Sequence, residues 1–253
     1  MQVSTTVRIE TGHATSIGRV REKQEDRLLD SAPMIAVADG MGGLSRGDFA
    51  AQTVIDALGS VTINGSTASA RAEIKKAVHR ASNKISKATT KRGGEGAGTT
   101  VVGAVFGRAT SKDSWLVFHI GDSRMYCYED GELSLLTTDH SVVQEMVDAG
   151  IMTLEEARYD PRRSILTRAV GTTESVIPTF RHVESRGQIL LACSDGITDE
   201  LTNYEISDII QEYENSDLTD IASAIVDAAL EAGGRDNATV VLARALPEGE
   251  GTA

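Results

Sequence analysis

Cysteine, proline and long apolar runs are all scarce in this sequence. Its two cysteines, Cys127 and Cys193, lie far apart and form no Cys-x-x-Cys pair, which suits two buried free thiols in a reducing compartment. No run approaches the roughly 18 apolar residues needed to cross a bilayer. The first residues, MQVSTTVRIETGHATSIGRVREKQED, show no basic stretch followed by an apolar core and a small-residue cleavage site, so no secretory signal is visible. A cytoplasmic location is expected, and the glycosylation-like triplets at Asn64 and Asn237 then read as chance matches. Four prolines against 24 glycines do not describe a linker-rich or fibrous chain. A basic excess is also missing. The 25 Lys and Arg face 37 Asp and Glu, a formal charge of −12, which argues against nucleic acid or an anionic membrane as the main partner. The five histidines, His13, His79, His119, His140 and His182, show no His-x-x-x-His or His-x-Asp spacing, so a structural role is the default for each.

The residues that are present give a globular balance: 253 residues, 40% apolar and 25% charged, long enough for one large domain or two small ones. Short β-branched apolar runs at 34–38, 100–106, 115–120, 189–193 and 238–243 predict buried strands. Helical periodicity predicts helices over 47–58, 69–90, 141–150, 204–213 and 218–233. The helices come in groups instead of after each strand, which points to α+β layers and not to a doubly wound repeat. One compact domain over 1–246 is expected, with an unstructured tail at 247–253. The charged segment 139–171, with Pro161 and Arg162-Arg163, reads either as a helical connection or as a flap over a site.

The informative regularity lies at the ends of the strands. MIAVA runs into Asp39-Gly40, WLVFHI into Gly121-Asp122, ILLAC into Ser194-Asp195-Gly196, and Asp236-Asn237 precedes ATVVLA. Asp-Gly is common turn chemistry, and any one of these reads as a turn. Four such aspartates on apolar strands read better as one cluster, because acids gathered at a shared sheet edge repel each other without a cation. Carboxylates and carbonyls with no nearby His or Cys suit hard ions such as Mg2+ or Mn2+. Competing phosphate chemistries fail on the letters. The glycine-rich stretch 93–100 has Thr99 where a nucleotide loop needs Lys. Neither cysteine is followed by the Arg of a cysteine phosphatase, no Asp-x-Asp-x-Thr occurs, and Ser123 and Ser194 lack a nucleophile elbow.

Arg21-Glu22-Lys23-Gln24-Glu25-Asp26, Asp39-Gly40-Met41-Gly42-Gly43, Gly98-Thr99-Thr100, Gly121-Asp122-Ser123-Arg124, Leu166-Thr167-Arg168-Ala169-Val170-Gly171, Ser194-Asp195-Gly196 and Asp236-Asn237 occur in this order. Together they resemble the metal-dependent serine/threonine protein phosphatases, the type 2C family, over about residues 5–245. The resemblance implies a central antiparallel β-sandwich flanked by helical layers, with a centre of two or three Mn2+ or Mg2+ ions at one edge. It implies that Asp39 bridges two ions, that Glu25 and the Gly40 carbonyl hold one and Asp195 and Asp236 the other, and that Asp122 serves a third. Asp199 and Asp26 match supporting acidic positions, and Arg21 matches the arginine that clamps the substrate phosphate. The implied reaction is hydrolysis of phosphoserine and phosphothreonine on proteins by direct attack of a hydroxide bridging the ions, reversing a Ser/Thr kinase. The implied partners are phosphorylated proteins, a kinase or its targets. Two departures stand out. Met41 takes the place of a proton-donating His, which leaves His140 and Asp160 as candidate donors beside metal-bound water. Asp160-Pro161 replaces a common His-Pro in the flap. A phosphoprotein-binding module without turnover and a small-molecule phosphoesterase are the alternative readings.

Overall fold

The computed structural model describes residues 7–42, 46–90, 96–172 and 176–248. Two five-stranded antiparallel sheets stack face to face. The first has the order β1 (Val7–Ser16), β12 (Ala238–Pro247), β11 (Ile189–Cys193), β8 (Arg124–Glu129), β9 (Glu132–Leu135). The second runs β10 (Thr179–Glu184), β7 (Lys112–Ile120), β6 (Val101–Ala109), β3 (Met34–Ala38), β2 (Arg27–Ser31). A two-residue pairing of β4 (Gly40–Met41) with β5 (Gly98–Thr99) lies at the end of the second sheet.

Side chains alternate across a strand, and here both faces are covered. On β11, Leu190 and Ala192 join Val37, Val102, Trp115 and Val241 between the sheets, while Leu191 and Cys193 point outward against helices. That is why the interior strands read as unbroken apolar runs. The outer face of the second sheet carries α1 (Gly47–Gly59) and α2 (Thr67–Thr90), whose Val54, Leu58, Ile74, Val78 and Ile85 pack on Leu116 and Phe118. The first sheet carries α5 (Asp195–Thr198), α6 (Asn203–Glu212) and α7 (Leu218–Ala232), through Ile197, Ile206, Ile210, Ile221 and Ile225. Truncating a side chain such as the fully buried Leu190 to Ala costs about 2–5 kcal/mol, depending on how far the layers close over the gap.

The α+β sandwich expected from the sequence is the observed architecture. All five expected strands, on β3, β6, β7, β11 and β12, are interior, and the five expected helices fall on α1, α2, α6, α7 and α3 (Val142–Asp148). The edge strands β1, β9, β10 and β2 carry no apolar run because they mix exposed and half-buried residues. Between β9 and β10 the chain forms α3 and α4 (Leu154–Tyr159), the segment expected as a flap or connection. Strand β12 continues to Pro247, and residues 249–253 of the expected tail lie outside the described residues, as do Gly43 and residues 93–95 of the glycine-rich stretch.

Candidate metal centre

All seven residues that the resemblance assigns to the ions or the phosphate, Arg21, Glu25, Asp39, Gly40, Asp122, Asp195 and Asp236, line one cleft of about 460 Å³, as does Asp199. The sheets deliver them from opposite sides. Asp39 ends β3 and Asp122 sits in the turn between β7 and β8. Asp195 follows β11, and Asp236 precedes β12.

The local chemistry explains why these turns hold. Asp39 is fixed by its backbone: its N–H donates to Thr100 Oγ1 at 3.0 Å, and its carbonyl accepts from Thr99 Oγ1 at 2.8 Å and from the Thr100 N–H at 2.9 Å. Thr100 Oγ1 in turn lies 2.6 Å from Ser123 Oγ, so the Gly98-Thr99-Thr100 motif ties the Asp39 turn to the Asp122 turn. A Cβ on Gly40 would lie 2.2 Å from the Gly47 carbonyl oxygen, and one on Gly196 would lie 1.9 Å from that of Asn237. Glycine at these two places lets backbones cross directly under the cleft. Asn237 is a joint to which the sequence alone assigned no role. Its Oδ1 accepts from the Glu25 N–H at 2.7 Å, and its Nδ2 donates to the carbonyls of Ile17 and Lys23, each at 2.9 Å. The irregular segment carrying Arg21 and Glu25 is thereby pinned beside Asp236.

Seven carboxylates and three guanidiniums line the cleft. Each guanidinium is matched to one carboxylate: Arg21 to Asp236 at 2.5 Å, Arg163 to Asp199 at 2.7 Å, and Arg235 to Glu200 at 2.9 Å. Among the described residues, Glu25, Asp39, Asp122 and Asp195 are left without an ion-pair partner. Burial and mutual repulsion push the carboxyls of Asp39, Asp122 and Asp195 above the usual aspartate range. Behind them Asp26, 3% exposed, is also pushed up by burial. Its Oδ2 accepts from Ser194 Oγ at 2.8 Å, and its Oδ1 has no hydrogen-bond partner among the described residues. Four unbalanced charges and an all-oxygen donor set fit hard divalent cations. As the side chains stand, no three His, Cys, Asp or Glu among the described residues are arranged to hold an ion. Arg21 covers Asp236, so the donors fit in chemistry and require rotation of side chains to fit in geometry.

The two candidate proton donors are placed elsewhere. His140 accepts the Gly121 N–H at Nδ1, 3.1 Å away, so its hydrogen is on Nε2, which faces Thr179 Oγ1 at 3.1 Å. Its ring stacks on His119 at 4.6 Å, and neither ring lines the cleft. Asp160 closes a turn by accepting from the Arg162 backbone N–H at 2.8 Å and from its guanidinium at 2.8 and 2.9 Å.

Residues 20–231 match the model of the protein phosphatase 2C family, and the chain belongs to that family. It is 37% identical over 228 residues to the serine/threonine protein phosphatase PstP of Mycobacterium tuberculosis, covering 89% of this chain and 43% of that protein. The chain thus spans less than half the length of PstP. It is 32% identical over 239 residues to the serine/threonine phosphatase stp of Listeria welshimeri, covering 90% of this chain and 92% of the relative. The crystal structure of the PstP catalytic domain in complex with two manganese ions superposes with a TM-score of 0.83 at 33% identity, over 95% of this chain and all of that one.

Proposed function

We propose that this protein hydrolyses phosphoserine and phosphothreonine on proteins with the help of two or three Mn2+ or Mg2+ ions. The observation that carries the reading is the cleft itself, in which four carboxylates have no ion-pair partner among the described residues and three of them are pushed above the usual aspartate range by burial and by one another. Asp39, Glu25 and the Gly40 carbonyl would hold one ion, Asp39, Asp195 and Asp236 a second, and Asp122 with Asp195 a third. When bound, such ions supply Lewis acidity toward water and toward the phosphoryl oxygens.

The chain's own groups supply the rest. Arg21, half-exposed at the cleft mouth, presents a planar fork that suits two phosphoryl oxygens better than the single Asp236 oxygen it now meets. Asp26 and Ser194 buttress the floor beside Glu25. Thr100 and Ser123 keep the two aspartate turns in register, so the carboxylates keep their places through turnover. The protein is proposed as a single catalytic domain over 1–246, with 139–171 as a flap, working in the cytoplasm on a Ser/Thr kinase or its targets. Among the described residues, no helix is long and apolar enough to cross a membrane.

The test is phosphate release from a phosphothreonine peptide by protein stripped of metal and then supplied with Mn2+ or Mg2+. Release that depends on metal and disappears in Asp39→Asn is the expected result. Tight metal binding with no release from phosphopeptide or aryl phosphate would replace this reading with a binding module. In Arg21→Ala the Michaelis constant for the peptide rises while metal affinity is kept.

A further inference from the structure

The outer face of α2 has a sign opposite to that of the molecule. In a chain of formal charge −12, this one helix carries Arg71, Lys75, Lys76, Arg80, Lys84 and Lys87 against a single acid, Glu73. All six cations are exposed, while Ala70, Ile74, Ala77, Val78, Ala81 and Ile85 fill the core on the opposite side. The opposite helical layer is the reverse: the ionised side chains of α6 and α7 are Glu205, Asp208, Glu212, Asp220, Asp227 and Glu231, with no Lys or Arg.

The arrangement does not serve the helix. Lys76, Arg80 and Lys84 succeed each other at four-residue spacing, which places like charges side by side and destabilises a helix. Acids are favoured in the first turn of a helix, and the first turn of α2 holds none. Among the described residues, the one salt bridge made by any of the six is Lys76 to Glu73 at 2.7 Å. The Arg71 guanidinium lies 4.8 Å from the Phe180 ring centroid, which holds its fork while leaving it exposed.

The helix is tied to the cleft from its buried side: Ser82 Oγ accepts from the Gly171 N–H at 3.2 Å, the neighbouring Val170 bridges to Thr99, and Thr99 holds Asp39. From Arg71 to Lys87 the cations span about 24 Å of helix at 1.5 Å per residue, the reach of roughly seven residues of extended peptide.

Resting on the phosphatase reading, we propose that the outer face of α2 docks an acidic segment of the substrate protein, rich in Asp, Glu or further phosphate groups, and so delivers its phosphoserine or phosphothreonine to the cleft. An anionic membrane is the weaker occupant, because no large apolar side chain is exposed on α2 to enter a bilayer. The same acidic segment is repelled by α6 and α7, which fixes the direction of approach.

Two peptides with the same phosphothreonine, one flanked by a run of Glu and the other by Gln, are compared by fluorescence anisotropy and phosphate release, with vesicles of phosphatidylserine and phosphatidylcholine as a third probe. The wild-type protein should bind the Glu peptide about tenfold more tightly at low salt, the gap closing at high salt. The double variants Arg80→Glu/Lys84→Glu and the milder Arg80→Gln/Lys84→Gln should lose that preference while hydrolysing a small aryl phosphate as before. Equal affinity for both peptides in the wild type overturns the proposal, as does a preference that survives in both variants. Vesicle binding without a Glu-peptide preference overturns it in favour of a membrane. A preference in anisotropy with no phosphate release from any substrate supports the docking face and overturns the phosphatase reading.

Discussion

The carboxylates of the cleft and those on the exposed helix starts and flap are the same side chains in opposite circumstances. Asp160 accepts three hydrogen bonds from Arg162 and is held down at about 2. Glu156 and Glu205 complete capping boxes with Thr153 and Thr202 at the starts of α4 and α6, and N–H and O–H donors hold both below the usual range. Asp26, Asp39, Asp122 and Asp195 are surrounded by apolar walls and by one another, and all are held up. The two groups differ in their neighbours: donors complete a carboxylate, whereas other carboxylates leave it in need of a cation.

The sharpest way to break this contrast is to remove one of the crowded charges. Asp39→Asn should cut phosphate release by about a thousandfold or more, yet raise the melting temperature of the metal-free protein, because it removes one acid from a buried, mutually repelling cluster. Calorimetry beside the activity assay checks both; a lower metal-free melting temperature contradicts the account of the cluster.

Titration sharpens it next. The crowded aspartates have folded-state values above their unfolded value of about 3.9, so folding favours their protonated forms. That stabilisation is complete below the unfolded value and is lost as pH rises through about 6 for Asp195 and about 8 for Asp122. Metal-free protein should therefore melt at falling temperature from pH 5 to pH 8, and Mn2+ should restore the loss most strongly at the upper end. Asp160 has the opposite sign: its contribution is present at neutral pH and is lost as pH falls below its ordinary value toward about 2. A melting temperature indifferent to Mn2+ at pH 8 would count against the cluster as a cation site.

Two smaller effects bracket the boundary between the regions. His140→Ala frees the Gly121 backbone next to Asp122 and should lower turnover about tenfold, the scale of a group that orients a ligand instead of being one. Asp160→Asn should leave peptide hydrolysis within about twofold, since an exposed ion pair in a turn contributes little. A larger loss for Asp160→Asn would give the flap carboxylate a part in the reaction.

The aspartate half of the cleft was legible because interior strands are apolar on both faces and end abruptly beside Asp and Gly, so Asp39, Asp122 and Asp195 stand out within two residues of a buried run. Arg21 and Glu25 had no such frame. They lie in irregular chain between β1 and β2, and only the order of motifs pointed to them. Their placement depends on Asn237, more than 200 residues away in sequence, and no local pattern encodes a partner at that distance. The edge strands were hidden for a related reason, since one face of each meets solvent and polar residues are tolerated there. The competition that puts Arg21 on Asp236 is a property of side-chain geometry, which no spacing rule expresses.

The staple made by Asn237 joins residues 17–25 to the strand that begins at Ala238. Asp236 and Asn237 are synthesised long after Arg21 and Glu25, and contacts this distant in sequence form late. During translation the growing chain carries the early half of the centre without its counterpart until β12 has emerged. The cleft is therefore complete only once Asp236 and Asn237 can fold against residues 17–25, and no incomplete product of synthesis that stops before residue 236 carries it.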